Sequence, residues 1–263
     1  ASSAPEQFFF MEMNTRLQVE HPVTEMVHGI DLVEWQLRVA AGEALPFTSD
    51  DLRPRGHAVE ARVYAEDPAH GFVPTGGTVL AVHEPAAHEG VRVDAAWAPG
   101  MVVGPHYDPM LAKVVAHGAD RAEALLRLDR ALAATAVLGV TTNIGLLRAL
   151  VADEDVRAGR LDTDLVERHL PTLVDETMPP IVPLAATLLW LAVEERSPDP
   201  WASPTGWTTS GHREVHVAVA VAGGDAHDVV VHHRDGTWWG HVGDGPDVPI
   251  GVEVLPGEGG EVL

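Results

Sequence analysis

The stretch FFFMEMNTRLQVEHPVTE, Phe8 to Glu25, alternates in its first part. Met11, Met13, Leu17 and Val19 fall at odd positions, and Glu12, Asn14, Arg16, Gln18 and Glu20 at even ones. An extended chain sends successive side chains to opposite faces, so a strand here gathers carboxylates, amides and a guanidinium on one side. The spacing predicts a strand over 7–14, with Pro22 closing the extended run. A half-exposed strand with a polar wet face has the same pattern. Ordinary wet faces, however, use Thr, Ser and Lys freely, whereas this one carries acids, amides and one arginine. Glu12 and Asn14 offer oxygen ligands to a hard cation such as magnesium. Arg16 presents a planar fork to a carboxylate, bicarbonate or phosphate. Glu20 is a candidate general base; its structural alternative is an ion-pair partner of His21 or of a nearby arginine.

The motif EMNTRLQVEHPVTE resembles the signature at the end of the ATP-grasp domain of the biotin carboxylases, which form part of the α subunits of acetyl-, propionyl- and methylcrotonyl-CoA carboxylases. A shorter E-x-N-x-R core also occurs in carbamoyl phosphate synthetase, and the continuation QVEHPVTE points to the biotin-dependent branch. The resemblance implies that Glu12 and Asn14 hold Mg2+ or Mn2+ with the phosphates of ATP. A second metal-binding glutamate of the family has no counterpart in this sequence. The resemblance also implies that Arg16, Gln18 and the backbone at Val19 bind bicarbonate and that Glu20 removes its proton.

Composition narrows the classes. The chain has 263 residues, 46% of them hydrophobic, which is ample for one large domain or two to three small ones. The formal charge of −22 argues against nucleic acid and anionic membrane as partners. No apolar run is long enough to span a bilayer, and no signal peptide is evident. Cysteine is absent, so there is no disulfide and no thiolate metal site; a cytoplasmic protein is expected. Lys113 is the only lysine and sits in LAKVV, not in the AMKM setting of a biotinylated lysine. The lysines and glycine-rich loop that grip ATP in the ATP-grasp family are also missing. The chain therefore reads as an internal fragment of a longer protein, expected to be inactive alone.

Downstream, the sequence predicts a helix over 23–42, broken near Gly29 and resumed after an Asp31 cap, with Leu32, Val33, Trp35, Leu37, Val39 and Ala40 as a packing stripe. HAVEARVYAE, His57 to Glu66, alternates as a strand. GHAVEARVYAEDP resembles the first strand of the biotin carboxylase C-terminal domain, and Arg62 falls on its catalytic, biotin-facing arginine. Strands over 78–83, 91–94, 101–103 and 110–117 are expected to form an antiparallel meander. YDPMLAKV resembles the region near the biotin pocket, which makes Tyr107 and Asp108 candidate supporting residues. Arg92 falls where the family has a dimer-interface arginine, although HEPAAHEGVR departs from the glycine pair usual before it. Helices are expected over 120–138, from a Thr142 cap, and from an Asp162 cap to Leu170, with proline-rich 171–183 ending the unit.

An apolar helix over 181–195 and strands over 215–222, 227–233, 237–242 and 252–255 follow. This helix with antiparallel strands, together with DPWASPTGW, resembles the domain that ties the carboxylase to a β subunit, a central helix wrapped by a β-barrel. The fold expected is α+β: residues 1–48 the C-terminal end of an ATP-grasp domain, 49–172 the biotin carboxylase C-terminal domain, and 173–263 an incomplete subunit-contact domain. The partners implied are a carboxyltransferase β subunit, a biotin carrier domain bearing the biotin on a lysine outside this chain, and a second copy of the carboxylase core. Pyruvate or urea carboxylase, or a non-catalytic assembly module, are the alternatives; a TIM-barrel βα pattern after Leu170 would mark the pyruvate enzyme and is not seen.

Overall fold

Gly29 and Asp31 divide the first helical stretch in two. In the computed structural model, which describes residues 9–85, 90–174, 179–194, 214–220 and 226–250, helix α1 spans His21–His28 and α2 spans Leu32–Ala40. Gly29 ends α1 in the left-handed conformation, φ 69°, with its N–H donating to the Glu25 carbonyl. Asp31 caps α2 by accepting from the Glu34 N–H at 2.7 Å. Both features match the expectation. Helix α1 starts before Val23 because Pro22 fits a first turn, where its missing N–H costs nothing.

Two early expectations fail. Residues 9–15 carry no regular structure, because no described strand pairs with them and an unpaired strand has no ladder to hold it. Residues of both parities there are exposed, so the alternation does not sort them into faces. The stripe on α2 is only partly packed: none of its residues is buried and Leu37 is 69% exposed, although Trp35 meets Phe47 edge-on.

The next unit of the chain contains the strands β1 (His57–Tyr64), β2 (Glu66–Asp67), β3 (Val73–Pro74), β4 (Gly77–Thr78), β5 (Ala81–His83), β6 (Val91–Ala95), β7 (Val102–Val103) and β8 (Met110–Gly118). The pairing is antiparallel, but it is not a meander. The main sheet has the order β1-β8-β6, and β2 pairs with β3 and β4 with β7. The continuous apolar run of β8, buried on both faces along most of its length, takes the centre, while the half-polar β1 and β6 take the edges.

Helix α3 (Arg121–Ala133), capped by Asp120, lays Leu128, Ala131 and Leu132 over one face of this sheet. The core there joins Ala61 and Val63 of β1 to Ala112, Val114 and Ala116 of β8 and to Leu128, Ala131 and Leu132. The helix does not reach Leu138. Ala136–Leu138 form β9, which pairs with β5, and β-branched Val137 fits that ladder better than a helix. Gly139 follows at φ 100°, where an added Cβ would meet the Thr78 carbonyl oxygen.

Helices α4 (Ile144–Ala152), α5 (Glu154–Ala158) and α6 (Leu165–Leu173) complete the unit. Their starts differ from expectation. Asn143, not Thr142, stands at the N-cap position of α4, and its side chain is used elsewhere. Asp164 takes the N-cap position of α6; Asp162 instead accepts from the Asp164 N–H and pairs with Arg168. Helix α6 also runs past Leu170 with Pro171 inside it, and α5, capped by Asp153, is an element the sequence reading missed.

The chain divides into two compact units, Ala1–Glu176 and Thr177–Leu263. In the second, α7 (Ile181–Glu194) packs on the antiparallel sheet β10 (Glu214–Ala220), β11 (Ala226–Arg234), β12 (Thr237–Val242) and β13 (Val248–Ile250), in that order. Leu184, Leu188 and Leu191 meet Val215, Val229, Val231 and Ile250. Gly240 permits the contact, since a Cβ there would lie 2.9 Å from Leu184 Cδ2 and 2.7 Å from the Val230 carbonyl oxygen. The β11–β12 hairpin turns on Asp235 (φ 49°) and Gly236 (φ 80°), the positive pair that a tight two-residue hairpin needs. Strand β13 was not anticipated; the strand expected over 252–255 and the DPWASPTGW segment lie outside the described residues, which form an open sheet on a helix. No described helix is long and apolar enough to cross a membrane.

Leu128 is 1% exposed at the centre of the first core. Leu128→Ala is expected to lower stability by about 2–5 kcal/mol, read as a reduced urea midpoint, because the site cannot fully collapse around the lost methyl groups.

Candidate functional site

Alternation along the main sheet separates two chemistries. One face carries the core under α3. The other carries Glu60 and Arg62 on β1, Lys113 on β8, and Arg92 and Asp94 on β6. Arg62 stands opposite Lys113 in the β1–β8 register, and Asp94 stands opposite Lys113 in the β6–β8 register. Helix α1 lies against β1 and β8.

Charged groups of this face hold the segment from Leu17 to Val27. Lys113 Nζ donates to the Val19 carbonyl at 3.2 Å and pairs with Asp94, also at 3.2 Å. Arg92 bonds Glu25 at 2.6 Å and Asp94 at 2.7 Å. Glu25 is 5% exposed, and its other oxygen accepts from the Leu32 N–H, so one carboxylate ties the sheet to α1 and to the start of α2. The Arg55 N–H donates to the Val27 carbonyl at 2.7 Å. Arg92, expected at a dimer interface, also has carboxylate partners within its own chain.

This docking brings Glu20 to Arg62. The Arg62 guanidinium donates to Glu20 Oε2 at 2.8 Å across 42 residues of sequence, with both side chains substantially open to solvent. An exposed pair of this kind contributes about 0–1 kcal/mol, so its importance lies in placement more than in stability. Arg16, Gln18 and Glu20 line one cavity of about 310 Å³ together with His21, Leu32 and Gln36. Gln18 Nε2 donates to the carbonyls of Asn14 and Arg16, each at 3.3 Å, and Arg16 reaches the Leu17 carbonyl at 3.3 Å. The cavity has the donors for a small anion and a carboxylate beside it.

Glu12 and Asn14 are exposed, and no hydrogen bond or ion pair among the described residues joins their side chains to each other or to Glu20. As a carboxylate and an amide carbonyl they suit Mg2+ or Mn2+, but two donors fill only part of such an ion's coordination shell and leave the rest to phosphate and water. Tyr107 is 89% exposed, and Asp108 accepts from the Met110 N–H, a turn-forming role. The only other grouping of potential metal ligands among the described residues is Asp153, Asp155 and His169. There Asp153 caps α5 and bonds His169, and Asp155 pairs with Arg160.

Two residues beside the site were not singled out by the sequence. Asn143, 5% exposed, accepts from the Tyr64 N–H at 2.9 Å and donates to the Arg62 carbonyl at 3.2 Å and Glu66 at 3.1 Å. It clamps the strand end that bears Arg62. Glu60 is the other. Its side chain is 4% exposed, neither oxygen accepts a hydrogen bond, and Arg62 Nε stands 3.7 Å away. Burial pushes the Glu60 carboxyl above its ordinary range, while Lys113 and Arg62 pull it back. Burial would also raise Asp94, but hydrogen bonds and charge from Arg92, with Lys113 adding to both, hold it below its ordinary value. The Arg92 guanidinium is in turn held more firmly protonated by Asp94 and Glu25.

Comparison with known proteins adds a second line. Residues 60–168 match the model of the biotin carboxylase C-terminal domain, and residues 1–48 match that of the carbamoyl-phosphate synthase L chain, ATP binding domain. The chain is 47% identical over 175 residues to the mitochondrial methylcrotonoyl-CoA carboxylase subunit alpha of Arabidopsis thaliana, which covers 66% of this chain and 24% of that protein. It is 47% identical over 165 residues to biotin carboxylase 2 of Bacillus subtilis, covering 63% of this chain and 37% of the relative. Among solved structures, the biotin carboxylase domain of Hydrogenobacter thermophilus 2-oxoglutarate carboxylase, bound to MgADP, ADP and bicarbonate, aligns with a TM-score of 0.62 at 41% identity, over 65% of this chain and 37% of that one. The chain thus spans 24% and 37% of the length of these two curated relatives.

The electrostatics of the docking face are testable. A carboxylate whose folded pKa lies below its unfolded value stabilises the fold above that unfolded value, and the gain is lost as pH falls through the folded pKa. Asp94→Asn should therefore cost about 1.5–3 kcal/mol at neutral pH, the range for hydrogen bonds to charged groups. The gap between wild type and variant in urea midpoint should narrow once the pH drops below the ordinary Asp94 value of 3.8.

Proposed function

The chain belongs to the biotin carboxylase family, and on that premise we propose that the parent protein uses ATP and bicarbonate to carboxylate carrier-bound biotin. The observation that carries the reading is the meeting of Glu20 with Arg62 at 2.8 Å beside a cavity lined by Arg16 and Gln18. A base, an anion fork and a second arginine then converge from two stretches that match two different family models.

The roles follow from the chemistry. Arg16, Gln18 and the backbone at Val19 bind bicarbonate. Glu20 takes its proton, and the anion attacks the γ-phosphoryl group of ATP to give carboxyphosphate and ADP. Carboxyphosphate splits to carbon dioxide and phosphate, and phosphate takes the ureido proton of biotin. Arg62 stabilises the negative charge that develops on the ureido oxygen, and the biotin nitrogen attacks carbon dioxide. Glu12 and Asn14 would hold Mg2+ or Mn2+, which when bound neutralises phosphate charge. The exposure of Glu20 and Arg62 suits groups that must meet substrates arriving from solvent.

We further assign residues 1–48 to the end of an ATP-grasp domain, 49–172 to the carboxylase C-terminal domain and 173–263 to a subunit-contact domain. The helix packed on an antiparallel sheet in the second unit fits the subunit-contact domain of an acyl-CoA carboxylase α subunit. A carboxyltransferase β subunit, a biotin carrier domain and a dimeric carboxylase core are the partners of that assembly, and a cytoplasmic location completes the reading.

In the full-length parent, Glu20→Gln and Arg62→Gln are each expected to lower biotin-dependent ATP hydrolysis by about 100-fold or more, the scale for removing a general base or an oxyanion donor. Near-normal turnover in both variants would remove the reading.

A further inference from the structure

Glu60 has no part in the chemistry assigned above, yet it is a buried carboxylate on the docking face with no hydrogen bond to either oxygen. A buried carboxylate is tolerated where charge nearby compensates it. Here both of its oxygens lack a hydrogen bond and the side chain is 4% exposed. The compensation comes from the sheet register. Arg62 and Lys113 are directly opposite on β1 and β8, and like charges in that position repel. Lys113 has Asp94 on its other side at 3.2 Å. Arg62 has Glu20 at 2.8 Å and Glu60 at 3.7 Å. Of these two, Glu20 is exposed and, as a base, changes charge during turnover. Glu60 is shielded and stays in place.

We propose that Glu60 is a positioning residue, whose buried carboxylate holds the Arg62 guanidinium toward the biotin site and remains its counter-ion when Glu20 takes up a proton. The inference rests on the biotin carboxylation reading. Glu60 touches no substrate; Lys113 and Arg62 both offset its charge, and of these two Arg62 is the one that faces the chemistry. Removing its charge would leave Arg62 repelled by Lys113 and free to follow Glu20, away from the ureido oxygen.

The test uses the full-length parent with free biotin, comparing wild type, Glu60→Gln, Glu60→Asp, Arg62→Gln and the Glu60→Gln/Arg62→Gln double variant. Glu60→Gln should lower kcat/KM for biotin by about 10- to 100-fold, the scale of a misplaced catalytic group, with KM for ATP unchanged. In the Arg62→Gln background the same change should cost nothing further, because the group it positions is gone. Glu60→Asp, which keeps the charge, should recover part of the loss, and it carries the test if the glutamine variant does not fold. Unaltered kinetics in Glu60→Gln, an equal loss in both backgrounds, or an Asp variant no better than Gln would each overturn the proposal. A wild-type parent without biotin-dependent ATP hydrolysis would overturn the underlying reading and this inference with it. An active wild type with an indifferent Glu60 would overturn the inference alone.

Discussion

Arg62 and Lys113 face each other across one rung of an antiparallel sheet, and the first unit depends on how that repulsion is answered. Asp94 and the Val19 carbonyl take Lys113; Glu20 and buried Glu60 take Arg62. Two of these four partners, Glu20 and Val19, belong to a segment that has no place in the sheet. The charged face thus acts as a socket. Arg92 extends it by binding Glu25, which also receives the first N–H of α2. A face of plain apolar residues would bury α1 more cheaply, but it would not fix the rotation that points Glu20 at Arg62. Directional charge-assisted bonds specify that rotation.

The same sheet explains why the site is partly rigid and partly open. Its other face is closed by Leu128, Ala131 and Leu132 of α3, and the Arg62 end of β1 is clamped by Asn143. Arg62 is therefore held through its backbone by a buried amide and through its side chain by carboxylates. Glu12 and Asn14 lie on a segment with no regular structure and no sheet partner among the described residues. No described group holds these two side chains in place, whereas Glu20 and Arg62 are held to each other.

Much of this was legible in the chain. The alternation of HAVEARVYAE, the Leu spacing of α3, the Gly29 break and the Asp31 and Asp120 caps are local signals, and local physics decided them. The family likeness of the stretches around Glu20 and Arg62 was legible through resemblance. The failures share a cause, which is that partners distant in sequence decided the outcome. Ala136–Leu138 continues the apolar spacing of α3 but pairs with β5; β8 took the centre of the sheet because of its two-sided burial; and the alternation of residues 11–20 had no neighbouring strand to express it. Asn143 reads as a loop amide before a helix, and only the fold shows that it binds β1. Glu60 reads as one polar residue of an alternating strand, since its burial depends on α1 arriving from more than thirty residues upstream.

The central claim is that one anion site is assembled from two stretches, with Glu20 brought to Arg62 by the charged face of the sheet. A crystal structure of the full-length protein with bicarbonate tests it most directly. The account predicts the anion against Arg16 and Gln18, with Glu20 and Arg62 both facing it and Lys113 still on the Val19 carbonyl. Bicarbonate seated elsewhere, with Glu20 and Arg62 turned apart, would contradict it.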